Sequence, residues 1–152
     1  RRASIMQLFA RFSSASSPPL YLKVQQYISV AIKKKIVKAL PVGLKKRLPK
    51  DIAIVPVNER KSAELNRRYR GKNRPTNVFS FRYGPDYGEI LLCPAIIRRE
   101  AKASGNSYRC QMLWMILHGT IHLAGLHHEK SAQARKKFEN LEQKLFQKIT
   151  NN

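Results

Sequence analysis

The sequence predicts an α+β domain, in which a small mixed sheet of four strands packs with helices. Three observations predict this class. The 152 residues are 43% hydrophobic, which suits one globular domain with a real core. Apolar runs of strand length alternate with helical segments in the first part of the chain. Three helical segments follow one another at the end, so the predicted order is strand, helix, strand, helix, two strands and three helices.

Residues 1–18 are predicted to lie outside the domain, which we place at residues 19–152. This arm is rich in arginine and serine and has no acid, and Arg11-Phe12-Ser13-Ser14 resembles the end of a mitochondrial presequence. We therefore expect the remnant of a transit peptide and a location in the mitochondrial matrix, with another organelle or a bacterial cytoplasm as alternatives. A disordered basic arm that contacts RNA or a partner is the other interpretation of this composition.

The first two elements are predicted from residues 20–40. Residues 20–24 alternate apolar and polar side chains, which favours a strand. Residues 27–40 place apolar side chains at helical spacing with four lysines between them, which predicts an amphipathic helix with a basic outer face. Pro41 and Gly43 are expected to end this helix.

The middle of the chain supplies the remaining strands. Residues 52–57 predict a strand, and residues 59–69 suit a short helix. Two further strands, at residues 78–81 and 89–93, flank a Gly-Pro-Asp-Tyr-Gly turn at residues 84–88. We therefore expect these two strands to form an antiparallel hairpin.

Three helices are predicted to complete the domain. Pro94 begins the first, which runs to about residue 102. Ser107 is expected to cap the second, which runs to residue 124. Apolar residues nearly encircle this second helix, so we expect it to be the buried central helix. Ser131 is expected to cap the third, whose apolar face consists of Ala134, Phe138, Leu141, Leu145 and Ile149.

The charge of the chain is strongly unbalanced. Thirty Lys and Arg against nine Asp and Glu give a formal charge of +21, and residues 1–50 carry no acid. Such a field attracts polyanions and favours nucleic-acid binding, although a merely solvated, highly charged surface is the alternative. No apolar run is long enough to span a bilayer. Basic side chains on the first helix and in the linker after it are predicted RNA contacts: Lys33, Lys34, Lys35, Lys45, Lys46 and Arg47.

Residues 69–81 form a second basic segment. Its first half is a cationic, glycine-bearing loop with Arg70, Lys72 and Arg74, and its second half is the predicted strand that begins at Val78. Arginine offers planar, bidentate donors to phosphate oxygens, so this loop is a candidate site for a phosphodiester. A solvent-facing turn that happens to be basic is the alternative.

All four histidines lie within residues 118–128. His118 and His122 are four residues apart, so on a helix they project from one face. Gly125 stands where a helix commonly ends, and the chain can then turn back and bring His128 to the same point. Three imidazoles that converge in this way form a tripod for one metal ion with an open position for water, as in catalytic zinc sites. A structural or surface cluster of histidines is the alternative.

The same histidine spacing occurs in zinc peptidases of the metzincin kind. Those enzymes carry a glutamate directly after the first histidine, where it acts as general base. This chain has Gly119 at that place, so the spacing predicts the metal tripod without the peptidase base.

Three segments together resemble the YbeY family of endoribonucleases and ribosomal RNA maturation factors. They are residues 69–81 (YRGKNRPTNVFSF), 88–90 (GEI) and 118–128 (HGTIHLAGLHH). The resemblance runs from about Tyr21 to Ile149, and we expect an organellar, mitochondrial member. It implies an α+β fold with a metal site on the central helix and the loop after it, in which one zinc ion is held by His118, His122 and His128.

The resemblance also implies an activity and partners. It implies that Arg70 faces the metal across a basic cleft, so Arg70, His118 and His122 are the expected catalytic residues. The implied function is cleavage of single-stranded RNA during small-subunit ribosomal RNA maturation and ribosome assembly. Implied partners are ribosomal RNA, the small-subunit precursor, ribosomal protein uS11 and an Era-type GTPase. In the expected mechanism zinc activates water or a ribose hydroxyl, while Arg70 with Lys72 neutralises charge on the phosphoryl oxygens.

The sequence departs from the family pattern at two places. The family commonly has Asp before the third histidine, whereas this chain has His127, which we expect to orient a ligand or to compete as one. The hairpin at residues 84–88 is also shorter than in many relatives. His127 and the absent general base favour an alternative function, a catalytically weak or inactive assembly factor that binds pre-ribosomal RNA with a structural zinc.

Overall fold

The computed structural model describes the backbone of residues 20–151 and the side chains of residues 30–151. Six helices and three strands occupy this described part of the chain, which confirms the α+β class. In chain order they are α1 (Leu20–Ala39), α2 (Val42–Lys45), β1 (Asp51–Pro56), α3 (Glu59–Arg70), β2 (Val78–Arg82), β3 (Tyr87–Leu92), α4 (Pro94–Ser104), α5 (Tyr108–Leu123) and α6 (Ala132–Thr150). The predicted arm at residues 1–18 lies outside the described residues, so the domain boundary stays a prediction.

The prediction of a first strand at residues 20–24 is wrong. These residues form the beginning of α1, so the sheet of the described chain has three strands and not four. Apolar residues recur at every fourth position from Leu20 to Leu40, and no glycine or proline interrupts this run. That spacing continues one helical face through the segment, and a five-residue alternation cannot compete with it. Among the side chains that the structure describes in this segment, Ile32, Ile36 and Leu40 are buried.

The three strands form a mixed sheet in the order β1-β3-β2. β1 runs parallel to β3, with Ile54 opposite Ile90. β2 and β3 form the predicted antiparallel hairpin, with Ser80 opposite Ile90. Because side chains alternate along a strand, β2 presents Val78, Ser80 and Arg82 to one face and Phe79 and Phe81 to the other.

Helix α5 is the buried centre of the fold, as predicted. It contacts α1, α4, α6, β2 and β3. Ile116, Leu117 and Ile121 are completely buried in the larger core, which includes Ile90 on one face of the sheet. A smaller apolar cluster on the opposite face packs around Leu65 of α3. The helix that carries two of the four histidines is therefore held on several sides.

The predicted helix caps are present. The Ser107 hydroxyl accepts a hydrogen bond from the Cys110 N–H at 3.1 Å, and the Ser131 hydroxyl accepts one from the Ala134 N–H at 3.0 Å. Each cap satisfies a backbone donor that the first helical turn leaves without an intrahelical partner. Between residues 20 and 151, no helix combines the length and the apolarity that crossing a membrane requires.

Candidate metal centre

The last turns of α5 place two imidazoles side by side. His118 and His122 are half-buried, and their Nε2 atoms lie 3.1 Å apart. The helix ends at Leu123, and Gly125 then adopts a φ of +86°, a left-handed conformation that favours glycine. The Gly125 N–H donates to the His122 carbonyl at 2.9 Å, which fixes the turn.

This turn brings the third histidine to the pair. The ring centroid of His128 lies 5.3 Å from that of His118 and 5.0 Å from that of His122. One nitrogen from each of the three rings lies within 4.8 Å of the others, which is close enough for all three to ligate one ion. The structure thus brings together the three residues that the sequence predicted as a tripod.

Helix α6 supplies two supporting side chains that the sequence analysis did not identify as part of the site. The Glu142 Oε1 atom lies 2.7 Å from His118 Nδ1, and only 7% of the Glu142 side chain is exposed. The Phe138 ring contacts all three tripod rings at centroid distances of 5.1, 4.9 and 5.1 Å. A carboxylate that accepts from Nδ1 fixes the tautomer and orientation of a ligating imidazole, so Glu142 directs His118 Nε2 to the centre.

His127 takes a position beside His122. Its Nδ1 atom lies 3.3 Å from His122 Nδ1, so it is placed to orient that ring. His122, His127 and Glu129 also bring ligand atoms within 4.8 Å of one another, in a second arrangement that shares His122 with the tripod. Both roles expected for His127 are therefore compatible with its position.

The protonation of the site favours ligation. Burial, followed by the charge of neighbouring His118, lowers the pKa of His122 to about 4. At neutral pH the His122 ring is therefore uncharged and can donate a nitrogen lone pair to a metal ion. Three convergent imidazoles with a buried carboxylate behind one of them form a donor set that fits a divalent transition metal such as zinc.

A cleft of about 770 Å³ opens over the tripod. Arg70, Lys72 and Arg82 line it together with the histidines. Arg70 is the last residue of α3, and the left-handed Gly71, at φ +67°, ends the helix there. The Arg70 guanidinium lies over the Phe79 ring at 4.7 Å from its centroid, which holds the cation at the wall of the cleft.

The loop between α3 and β2 is tied to α3 by two buried side chains. The Ser62 hydroxyl donates to the Thr76 carbonyl at 2.7 Å and accepts from the Thr76 N–H at 2.9 Å. The Asn66 amide donates to the Arg74 carbonyl at 2.7 Å. Lys72 is thereby held at the cleft, whereas Arg74 is exposed and does not line it.

Arg82 is a cleft cation that the sequence analysis missed. Its guanidinium donates to the carbonyls of Leu123 and Arg47, so it caps the end of α5 next to the tripod. The signal was present in the alternation of β2, because Arg82 lies two residues after Ser80 and shares its face.

Four of the other predicted RNA contacts, Lys33, Lys34, Lys45 and Lys46, line a second cavity of about 710 Å³ between α1 and the segment that leads into β1. Five of its lining lysines, with exposed or half-exposed side chains, form the surface that we call the lysine groove: Lys33, Lys34, Lys38, Lys45 and Lys46. The Lys33 ammonium donates to the Ile52 carbonyl and the Lys45 ammonium to the Lys38 carbonyl, at 2.8 and 3.0 Å. Lys35 is exposed but does not line the groove, and the Arg47 guanidinium lies against Gly125 beside the metal centre.

Gly119 is required by packing. A Cβ atom at this position would lie 2.9 Å from Ser80 Oγ and 3.0 Å from Ile90 Cγ2. The Ser80 hydroxyl also donates to the Gly119 carbonyl at 3.2 Å, so helix and sheet are in close contact here. The glutamate that a metzincin peptidase uses at this position has no room, which excludes that mechanism for this chain.

Comparison with known proteins shows which family the chain belongs to. The profile of the family described as endoribonuclease YbeY matches residues 21–150. The endoribonuclease YbeY of Pseudoalteromonas translucida is 37% identical over 106 residues, which cover 65% of this chain and 69% of that relative. The endoribonuclease YbeY of Thermotoga maritima is 32% identical over 122 residues, which cover 76% of this chain and 81% of that relative.

A solved structure supports the fold as well. The solution structure of TM1509 from Thermotoga maritima matches with a TM-score of 0.57 and 28% sequence identity, over 81% of each chain. The family profile spans nearly all of the described residues, from α1 to the end of α6. The chain therefore belongs to the endoribonuclease YbeY family.

Proposed function

We propose that this protein is a zinc-dependent endoribonuclease that cleaves single-stranded RNA during small-subunit ribosomal RNA maturation. One observation carries the proposal: three imidazole nitrogens converge within 4.8 Å in a cleft whose walls carry arginine and lysine. The names of the related proteins support the activity, since each is an endoribonuclease.

In this proposal His118, His122 and His128 hold one zinc ion per chain. When bound, zinc supplies Lewis-acid character and lowers the pKa of water from ~15.7 toward about 7. The protein contributes the geometry of the ligands. Glu142 orients His118, the low pKa of His122 keeps that ring unprotonated, and Phe138 forms an apolar wall behind all three.

The cations of the cleft position and stabilise the phosphodiester. Arg70 presents a planar guanidinium that can donate to two phosphoryl oxygens, and its contact with Phe79 limits its orientations. Lys72 lines the same cleft and adds a second positive charge. Charge that develops on the phosphoryl oxygens during cleavage is therefore met by groups already in place.

Affinity for RNA comes mainly from the wider basic surface. The lysine groove, with Lys34 and Lys46 among its exposed members, provides phosphate contacts outside the cleft. Arg47 lies against the turn at Gly125, beside the metal centre. Because each neutralised phosphate releases counterions, binding should weaken steeply as the salt concentration rises.

Cleavage of a small-subunit ribosomal RNA fragment by the zinc-loaded protein tests this function. His118→Ala and Arg70→Ala should each lower the cleavage rate at least about 100-fold, since each removes a ligand or a charge at the reaction centre. RNA affinity of His118→Ala should stay within about twofold of wild type, because a charge of +21 remains to bind. Arg74→Ala, an equal charge change outside the cleft, is the matched control and should keep the wild-type rate.

A second candidate is a non-catalytic assembly factor that binds pre-ribosomal RNA with a structural zinc. The observation that favours it is the second arrangement of His122, His127 and Glu129, which places two more ligand atoms beside the tripod. An additional protein ligand would close the position that a catalytic metal leaves open. Wild-type protein that binds the RNA fragment and a stoichiometric zinc ion without any turnover would support this function instead.

The biological setting is also part of the proposal. We place the protein in the mitochondrial matrix, on the composition of residues 1–18, and we expect it to act on the small-subunit precursor with ribosomal protein uS11 and an Era-type GTPase. Co-purification of the tagged full-length protein with mitochondrial small-subunit precursors would support this setting, and an exclusively cytosolic signal would contradict it.

A further inference from the structure

A row of aromatic side chains lies on the face of the hairpin opposite the metal centre. Phe79, Phe81 and Tyr83 occupy alternate positions of β2 and of its continuation, with ring centroids 5.8 and 6.5 Å apart. Tyr69 from α3 packs on Phe81 at 5.0 Å, and Tyr87 of β3 stacks on Tyr83 at 5.8 Å. We call these five residues the aromatic platform.

A buried carboxylate fixes one end of the platform. Glu89 is completely buried and accepts hydrogen bonds from the hydroxyls of Tyr83 and Tyr87, each at 2.9 Å. A buried carboxylate is costly unless it is hydrogen-bonded, so this arrangement resists any movement of the two rings. The proposed catalytic mechanism does not use Glu89, and its position is explained by this anchoring role.

The platform is partly open to solvent and carries positive charge. Tyr69 is 43% exposed and Tyr83 is 37% exposed. The Arg68 guanidinium lies 5.7 Å from the Tyr69 ring centroid, and Arg70 covers Phe79 while it lines the metal cleft. Partly exposed tyrosine rings beside guanidinium groups form the kind of surface that binds single-stranded nucleic acids, because the rings stack on bases and the positive charge attracts phosphates. Phe79 is buried and supports Arg70 from below.

We propose that the aromatic platform stacks bases of the same RNA strand whose phosphodiester lies in the metal cleft. This inference rests on the proposed function, because it needs an RNA strand in that cleft. In the described sheet β2 is an edge strand that pairs only with β3, so a strand of RNA can pass around its outer side from one face to the other. Arg70 lies at the edge between the two faces, since it lines the cleft and also contacts Phe79 of the platform.

The positive charge around the platform favours RNA over an apolar protein surface as its ligand. Arg67, Arg68 and Arg70 all lie in the last turn of α3, next to Tyr69. The acidic Glu89 is buried beneath the rings and is not presented to a ligand. A protein that docked by apolar contact alone would have to desolvate these guanidinium groups, whereas RNA neutralises them with phosphates.

Fluorescence of 2-aminopurine in a short single-stranded RNA tests the proposal, because stacking quenches this base. Binding to the full-length, zinc-loaded protein is followed by stopped flow, before cleavage proceeds. Wild type should quench the probe, and Tyr69→Leu or Tyr83→Leu should each weaken binding about tenfold and reduce the quenching. Leucine keeps apolar bulk at each position and removes the aromatic face. Tyr83→Leu also removes the hydroxyl that donates to Glu89, and Tyr83→Phe shows the effect of that loss alone.

Matched variants separate stacking from damage to the fold. Tyr108 is the control, because its ring also lies under an arginine, with the Arg98 guanidinium 4.8 Å from the ring centroid. This ring lies on α5, away from the platform. Tyr108→Leu should therefore bind RNA within about twofold of wild type. Tyr83→Phe keeps the ring and should retain the quenching. An oligomer with abasic sites in place of the bases should bind wild type and the two platform variants equally.

Unchanged affinity and quenching in both platform variants would overturn the inference and would leave this surface to a protein partner. Equal weakening with the abasic oligomer would overturn it too, because stacking would then not be the cause. A protein that quenches the probe yet never cleaves RNA would refute the proposed nuclease and support the platform. A protein that cleaves RNA without quenching the probe would support the proposed nuclease and refute the platform.

Discussion

Replacing Glu142 tests most directly how the proposed metal ligands are positioned. The Glu142 carboxylate lies 2.7 Å from His118 Nδ1, with 7% of its side chain exposed, so solvent cannot substitute for this bond. Removing such a partner of a ligating histidine typically lowers metal affinity about 10- to 100-fold, or roughly 1.4–2.8 kcal/mol. Glu142→Gln keeps an acceptor oxygen and loses only the charge, so we expect about a tenfold loss. Glu142→Ala removes the acceptor, and we expect about a hundredfold loss.

Zinc affinity is measured by competition with a chromophoric chelator, and thermal denaturation of the metal-free protein is measured in parallel. Glu142→Gln should change metal-free stability by less than about 1 kcal/mol, because the amide can still accept from the ring N–H. Glu139→Gln is the matched control, since Glu139 is exposed on the same helix, and it should leave zinc affinity unchanged. Wild-type affinity in Glu142→Ala, or an equal loss in Glu139→Gln, would show that the contact between Glu142 and His118 does not set zinc affinity.

Three further predictions concern packing, pH and the metal. Gly119→Ala should lower the free energy of unfolding by about 1 kcal/mol in thermal denaturation, because overpacking against Ser80 exceeds the gain in helix propensity; an unchanged melting temperature would contradict this. The pKa of His122 is about 4 in the folded chain against 6.5 when unfolded, so the unfolded state binds more protons between these values. Metal-free protein should therefore lose stability as pH falls from 6.5 to 4, and His122→Gln should flatten that profile. EDTA should abolish RNA cleavage while RNA affinity stays within about twofold of that of the untreated protein, and added zinc should restore cleavage. Cleavage that persists in EDTA would exclude a role for a metal ion.

Local sequence was sufficient for the parts of the site that depend on short-range geometry. The i, i+4 spacing of His118 and His122 requires only a helix, and the left-handed Gly125 then allows His128 to return within one turn. The caps at Ser107 and Ser131 are equally local. Each of these predictions depends on backbone rules that act over a few residues.

Contacts between distant segments could not be predicted in the same way. Glu142 is 24 residues from His118 along the chain, and Arg82 is 41 residues from the Leu123 carbonyl that it caps. A weak signal did exist for Glu142, because it shares the buried face of α6 with Phe138 and Leu145. A charged residue on an otherwise apolar helical face needs a buried partner, but the sequence does not say which one.

The neighbourhood of the tripod decides its chemistry more than the histidine spacing does. A glutamate beside the first histidine would give a peptidase its base, but the helix at Gly119 lies too close to Ser80 and Ile90 to accept a glutamate side chain without displacing them. The cleft is lined by Arg70 and Lys72, and positive groups of this kind stabilise the negative charge that develops on phosphoryl oxygens. A larger side chain at Gly119 would therefore disturb the contact between helix and sheet before it could supply a base, which fits the proposed phosphodiester cleavage better than peptide hydrolysis.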